Sequence, residues 1–264
     1  MHPMLNIAVK AARAAGDIII RHVDRIDGLQ VEQKTRNDYV SEVDRAAEQA
    51  IIRIIRRAYP DHGILAEESG TRDGTAYEWI IDPLDGTTNF LHGFPQYAVS
   101  IAVRQGARIE HGVVYDPLKQ ELFTASRGNG ASLNGRRIRV AGLRDLRGAL
   151  LGTGIPYRED QDLALFLETL RTLVPGTAGV RRAGSAALDL AYVAAGRLDG
   201  FWEFGLNIWD MAAGCLLVQE AGGVVSDLHG GGEHLRTGDV LAANIKVHSA
   251  MRARLEAVLR ERGK

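Results

Sequence analysis

The stretch WIIDPLDGTTNF, Trp79 to Phe90, decides how this 264-residue chain is read. Trp79, Ile80 and Ile81 form an apolar run suited to a buried strand. It ends in two carboxylates three residues apart around a proline, followed by Gly-Thr-Thr. Charges left unpaired at the end of an apolar strand are costly, so Asp82 and Asp85 need a partner. Asp followed by Pro is a favoured opening for a type I β-turn, and a turn over Asp82–Asp85 would fold the second carboxylate back towards the first. Two such anions repel unless they are protonated or neutralised. Ligands that are all oxygen select a hard cation such as Mg²⁺ over zinc. Gly86, Thr87, Thr88 and Asn89 can offer backbone N–H groups and hydroxyls, and as the start of a helix they suit a phosphate. D-P-x-D alone is ordinary surface-turn chemistry; the apolar lead-in and the Gly-Thr-Thr tail are what favour a site.

Upstream, Leu5, Ala8, Val9, Ala12, Ala15, Ile18 and Ile19 recur at helical spacing and predict a helix over 4–25. The polar stretch VEQKTRNDYVSEVD leads to a second helix from about Ser41 to Tyr59, striped by Val43, Ala47, Ile51 and Ile55 and ended by Pro60. GILAEES then reads as a strand and GTRDGTAYE as a loop. Downstream of Tyr97, turn signals at Gln105-Gly106, Asp116-Pro117 and Arg127 to Gly130 predict an antiparallel meander of about four strands. The remainder predicts helices near 160–173, from Ser185 to Gly196, from about Asp210 to Ala221 and from about Lys246, with strands near Val180, at DGFWEF and at GGVVSD. The expected whole is an α/β protein of alternating helix and sheet layers. It is one domain over 1–264, with a metal-binding half over 1–145 that contains the meander and an α/β half over 146–264.

Further acids sit where the site would need them. Glu67 in LAEES ends an apolar strand, where an acid can also simply mark the exit from the core. Asp210 in NIWDMAAG begins an apolar helix, where it can also act as N-terminal cap and dipole partner. Glu67, Asp82, Asp85 and Asp210 together carry a charge that two divalent cations balance, and a cation pair activates water and clamps a leaving oxygen. Carboxylates for metal beside amides for phosphate imply phosphate ester chemistry.

Other mechanisms lack their parts. The motif is D-x-x-D, where an aspartyl-phosphate enzyme wants D-x-D. Cys215, the single cysteine, lies in an apolar helix and reads as a core thiol rather than a nucleophile. No G-x-x-x-x-G-K-[ST] loop is present, and the eight histidines show no ligand spacing. A lone cysteine, an N-terminus without a signal-peptide pattern and the lack of a long apolar run predict a cytoplasmic protein away from membranes. A net charge of −1 offers no general nucleic-acid surface.

With these residues in view, the chain resembles the inositol monophosphatase family and, within it, the SuhB-type bacterial branch. WIIDPLDGTTNFLHGFP over 79–95 and WDMAAGCLLVQEAGG over 209–223 match the two family signatures, with AEES and RRAGSAALDLAYVAAG also matching. The resemblance implies two Mg²⁺ ions, with a third held more weakly near Glu67. Glu67, Asp82 and the Leu84 carbonyl would hold the first, and Asp82, Asp85 and Asp210 the second. Glu67 and Thr87 would orient the attacking water, with Asp44 behind Thr87. In SEVD, Asp44 also completes a capping box opened by Ser41, and the two roles are compatible. Gly86, Thr87 and Thr88 would bracket the phosphate; Gly184, Ser185, Ala186, Glu203 and Asp210 would contact the substrate. Glu203 can equally be a strand acid facing solvent, and Lys34 would sit in a loop over the site. The resemblance further implies hydrolysis of inositol monophosphates, with fructose 1,6-bisphosphate, histidinol phosphate and 3′-phosphoadenosine phosphates as alternative substrates. It also implies lithium sensitivity, a homodimer, and a role in transcription antitermination through contact with RNA polymerase and NusA.

Overall fold

The computed structural model describes residues 2–25, 31–35, 38–156 and 161–261. Helix α1, Pro3–His22, starts with His2 accepting from the Met4 N–H at 3.3 Å, and it buries Leu5, Ala8, Ala12, Ala15 and Ile19. Strands β1, Val31–Thr35, and β2, Asp38–Ser41, pair antiparallel where the sequence suggested only a polar lead-in. Lys34 thus lies in β1 rather than in a loop, and its side chain falls outside the described residues. Helix α2, Glu42–Ala58, opens with the expected capping box of Ser41 and Asp44.

Strands β3, Gly63–Ala66, and β4, Gly70–Arg72, precede β5, Tyr77–Asp85, and a short helix α3, Thr87–Leu91. The expected loop GTRDGTAYE therefore contains β4 and the first residues of β5. The meander follows as β6, Ala98–Gln105, β7, Arg108–Asp116, β8, Glu121–Ser126, and β9, Gly130–Leu133, with a two-residue β10 at Arg136–Arg137. Its turns fall at the expected places. The last part is β11, Leu150–Thr153; α4, Leu163–Leu173; β12, Gly179–Arg181; α5, Ala186–Ala194; β13, Gly200–Glu203; and α6, Ile208–Glu220. After these come β14, Val224–Ser226; α7, His234–Thr237; β15, Val240–Ala243; and α8, Ile245–Glu261. Residue 160, where the first of these helices was expected to begin, lies outside the described residues.

Eight strands form one sheet in the order β10-β9-β8-β7-β6-β5-β3-β4, and five form another in the order β12-β11-β13-β15-β14. Side chains alternate across a strand, so β5 serves two cores at once. Trp79 and Ile81 pack with α1 and α2 on one face, while Ile80 packs with α5 and α6 on the other. Phe201, Val240 and Ala242 of the smaller sheet close the same α5/α6 layer from its far side. Leu151, Trp202, Leu241 and Ala243 face the outer pair α4 and α8. The stack is helix, sheet, helix, sheet, helix, as the α/β reading expected.

Small residues bring the central layer close. A Cβ on Gly112 of β7 would stand 2.9 Å from the Ala213 carbonyl of α6, and one on Gly214 would stand 2.6 Å from Leu190 of α5. Helix α6 is buried from Met211 through Val218, which accounts for a sequence apolar all round.

Candidate active site

Asp82–Asp85 is not the β-turn its composition suggests. β5 continues through it: Asp82 stands opposite Ser100 and Asp85 opposite Ala98, so Pro83 and Leu84 together face Val99. That is a bulge, placed where Pro83 has no N–H to give the ladder. The Leu84 N–H turns instead to Asp82 Oδ1 at 3.0 Å. The bulge still does what the turn was expected to do, because both carboxyls reach the same cleft.

α2 enters beneath. Asp44 is fully buried at the third helical position, where its Oδ2 accepts from the Ser41 N–H at 2.9 Å and from the Ser41 hydroxyl. Its Oδ1 accepts from the Thr87 hydroxyl at 2.8 Å. Both roles read for Asp44 are thus present geometrically. One turn further along α2, buried Glu48 accepts from the Glu68 N–H at 2.8 Å and so fixes the peptide that follows Glu67.

Asp85 comes from β5, yet its Oδ2 accepts from the Ser185 hydroxyl at 2.6 Å and the Ala187 N–H at 2.7 Å, at the start of α5. Asp210 occupies the third position of α6 rather than its cap; the cap is Asn207, whose N–H donates to Asp210 Oδ2 at 2.7 Å. Ser100, across the ladder from Asp82, donates to the Trp209 carbonyl at 3.1 Å and ties that helix start to β6.

Gly86 links strand to helix in the left-handed region, φ 96° and ψ 34°, and a Cβ there would meet the Gln96 carbonyl at 2.8 Å. Only glycine fits this corner. The first i→i−4 bond of α3 is Phe90 N–H to Gly86 O at 3.0 Å, so the N–H groups of Thr87, Thr88 and Asn89 precede the helical ladder.

Every site residue named from the sequence except Asp44 lines one cleft of about 420 Å³: Glu67, Asp82, Leu84, Asp85, Gly86, Thr87, Thr88, Gly184, Ser185, Ala186, Glu203 and Asp210. Asp44 stands behind it, through Thr87. Three contributors, and the side-chain role of Asn89, were not singled out from the sequence. The Asn89 amide donates to the carbonyls of Gln96, at 2.7 Å, and Ala183, at 2.9 Å, and so staples α3 to the segment before α5. Gly154, Arg182 and Asp189 also line the cleft. Asp189 alone had a visible signal, an acid inside the otherwise apolar helix GSAALDLAYVAAG.

The acids hold one another above their ordinary values. Burial, then Glu67, Asp85 and Asp210, push Asp82 well up; burial, then Asp85 and Glu67, do the same to Asp210. Burial raises Asp85 to about 6 against the pull of its hydrogen bonds from Ser185 and Ala187. Asp82 and Glu67 are within hydrogen-bonding reach of each other, a contact that two ionised carboxylates tolerate only across a proton or a cation. Among the described residues, no three His, Cys, Asp or Glu side chains already form one coordination shell. Asp82, Asp85 and Asp210 each direct one oxygen to a protein donor. The donor set is nevertheless all oxygen, four carboxylates with the Leu84 carbonyl, and a hard divalent cation suits both its chemistry and its charge. Cys215, by contrast, is buried in α6 with its thiol pushed up by desolvation, so it serves as core.

Residues 1–263 match the inositol monophosphatase family model. The chain is 59% identical to the Nus factor SuhB of Pseudomonas aeruginosa over 257 residues, covering 95% of each chain. A crystal structure of the extragenic suppressor protein suhB from Bartonella henselae superposes with a TM-score of 0.94 at 46% identity, covering 97% of this chain and 99% of that one. The inositol monophosphatase from Anabaena gives a TM-score of 0.83 at 40% identity, with 96% and 95% covered. The chain belongs to the inositol monophosphatase family, and its fold is that of the family's phosphatases. No helix among the described residues is long and apolar enough to cross a membrane.

Proposed function

We propose that this protein is a Mg²⁺-dependent phosphomonoesterase that hydrolyses inositol monophosphates, myo-inositol 1-phosphate among them. The observation that carries the reading is the convergence of Glu67, Asp82, Asp85 and Asp210, from separate strand and helix ends, on one cleft beside the Gly86–Thr88 corner. Glu67, Asp82, the Leu84 carbonyl, Asp85 and Asp210 would hold two magnesium ions, with a third weaker position near Glu67. Bound there, the ions would supply an acidified water and neutralise charge on the leaving oxygen.

The remaining work falls to the chain itself. Thr87 has one hydroxyl proton, directed to Asp44 Oδ1, so its lone pairs are left to accept from the attacking water. Glu67, just past the end of β3, would orient the same water and take up its proton. The N–H groups at the start of α3 bind phosphoryl oxygens, and Gly86 permits their close approach. Glu203, with Gly184, Ser185 and Ala186, contacts the alcohol portion. Phosphate release from myo-inositol 1-phosphate, fructose 1,6-bisphosphate, histidinol phosphate and 3′-phosphoadenosine 5′-phosphate, with and without Mg²⁺, tests this reading. Preference for the first, lost on chelation, supports it; no release from any of them ends it.

The 59% identity to a protein named Nus factor SuhB favours a second role, as a cytoplasmic homodimer that contacts RNA polymerase and NusA in transcription antitermination. Co-purification of these partners with the wild type and with Asp85→Asn separates the roles. Equal capture by both makes the contact independent of catalysis, and capture by neither removes the second role.

A further inference from the structure

Asp189 is 2% exposed, lines the cleft and stands one turn into α5, four residues after Ser185. No side-chain or backbone donor among the described residues is hydrogen-bonded to its carboxyl group, and only the charge of Arg182 offsets it. Favourable interaction with the helix N-terminus accounts for an acid in a solvated first turn. It does not account for a nearly buried carboxyl at the cleft wall with no donor among the described residues, which is costly.

The end of β11 passes beside this group. A Cβ on Gly152 would lie 3.6 Å from the Asp189 carboxyl carbon, an ordinary contact, and it is Leu198, at 2.8 Å, that leaves no space for a side chain there. Two residues on, a Cβ on Gly154 would overlap Glu203 Oε1 at 1.8 Å. Alternate positions on an extended chain are about 6.6 Å apart. The segment Gly152–Gly154 thus runs beside two carboxyl groups that line the same cleft.

We propose that Asp189 is a second hydroxyl-binding residue, which with Glu203 forms a pair of acceptors for adjacent hydroxyls of the alcohol portion of the substrate. Carboxylates in this place repel phosphate and accept from O–H donors. The pair therefore selects a phosphate ester of a polyol over one with an unadorned alcohol. The assignment rests on the phosphatase reading above and deepens it.

Steady-state kinetics of the magnesium-loaded protein on myo-inositol 1-phosphate and on 4-nitrophenyl phosphate, which lacks aliphatic hydroxyls, test it together with thermal melting. Asp189→Leu is expected to raise KM for the inositol ester at least ~10-fold. It should leave kcat near wild type, the constants for 4-nitrophenyl phosphate unchanged and Tm equal or higher, because an apolar group replaces a buried polar group with no partner. Asp189→Asn keeps a carbonyl acceptor and should restore most of the affinity.

A wild-type KM in the Leu variant overturns the hydroxyl assignment alone. Equal losses on both esters, a shifted Mg²⁺ requirement or a Leu variant that fails to fold also overturns it, since the carboxyl would then act through Asp85 or the fold. Absence of phosphate release by the wild type from either ester is a different result, and takes the phosphatase reading down as well.

Discussion

The Thr87 hydroxyl has a single proton and two acceptors in reach, Asp44 Oδ1 at 2.8 Å and the Leu84 carbonyl at 3.0 Å. With either choice the lone pairs of the Thr87 oxygen are left to accept from a water in the cleft. Thr87→Val keeps the shape and removes that oxygen, so turnover should fall ~10²-fold or more while Tm moves little. Asp44→Ala differs, because it also strips the α2 capping box: it should cost about 1 kcal/mol of stability in addition to turnover. Comparing the melts of the two variants checks the distinction. Asp85→Asn and Asp210→Asn should each lower turnover at least ~10²-fold with circular dichroism unchanged; near-normal hydrolysis by either would refute the metal assignment. The acids were legible because Glu67 and the Asp82–Asp85 pair end apolar strands and Asp210 opens an apolar helix, places where a charge needs a reason. The roles of the Asn89 amide and of Gly154 were not. The first acts by donating to carbonyls 7 and 94 residues away, and the second by the space it leaves for Glu203. Neither leaves a mark in local sequence.

Elements followed the same division. Helices α1, α2 and α8 carry apolar stripes, α5 is marked by Ser185 and Gly196 at its ends, and the meander by its turn signals. β4 is exposed along its whole length, and it, β11 and β15 were not read from the sequence. The Asp82–Asp85 bulge was hidden because turn and bulge use the same residues, and only the register with β6 separates them. The corner between β5 and α3 should tolerate substitution poorly. Gly86→Ala would combine a positive φ with a Cβ 2.8 Å from the Gln96 carbonyl, which is backbone and cannot swing aside. A loss of roughly 1–3 kcal/mol is expected, with KM for phosphate esters raised, as melting and kinetics of the variant would show. On α2, Glu48→Ala frees the Glu68 N–H and should lower kcat through Glu67, whereas Glu48→Gln retains an acceptor and should largely rescue it. An equal loss in both variants would rule out that geometry.

At the scale of the whole molecule, the α5/α6 layer is shared by both sheets, and the four acids collect at one edge of it. That placement couples global stability to pH through groups that repel one another. Asp85 is raised to about 6 from an ordinary value of 3.8, and Asp82 and Asp210 are raised well above theirs. A folded-state value above the unfolded one contributes stability that is complete below the unfolded value and is lost as pH rises through the folded one. Without cations, these acids should therefore weaken the fold progressively as pH rises, Asp85 as it passes through about 6. Half-buried His62 and buried His111, His234 and His248 act in the opposite sense: their values are lowered by burial, so their contribution is present above 6.5 and lost as pH falls. A single melting profile mixes the two trends. Subtracting a profile in chelator from one in Mg²⁺ removes the histidine part, which is common to both, and leaves the acids. Since a cation binds the ionised carboxylates and ionisation is what costs stability in its absence, the difference in Tm should widen from pH 5 to pH 8 and be largely abolished in Asp210→Asn. A difference that is flat or narrows with rising pH would mean that these carboxylates do not share a cation.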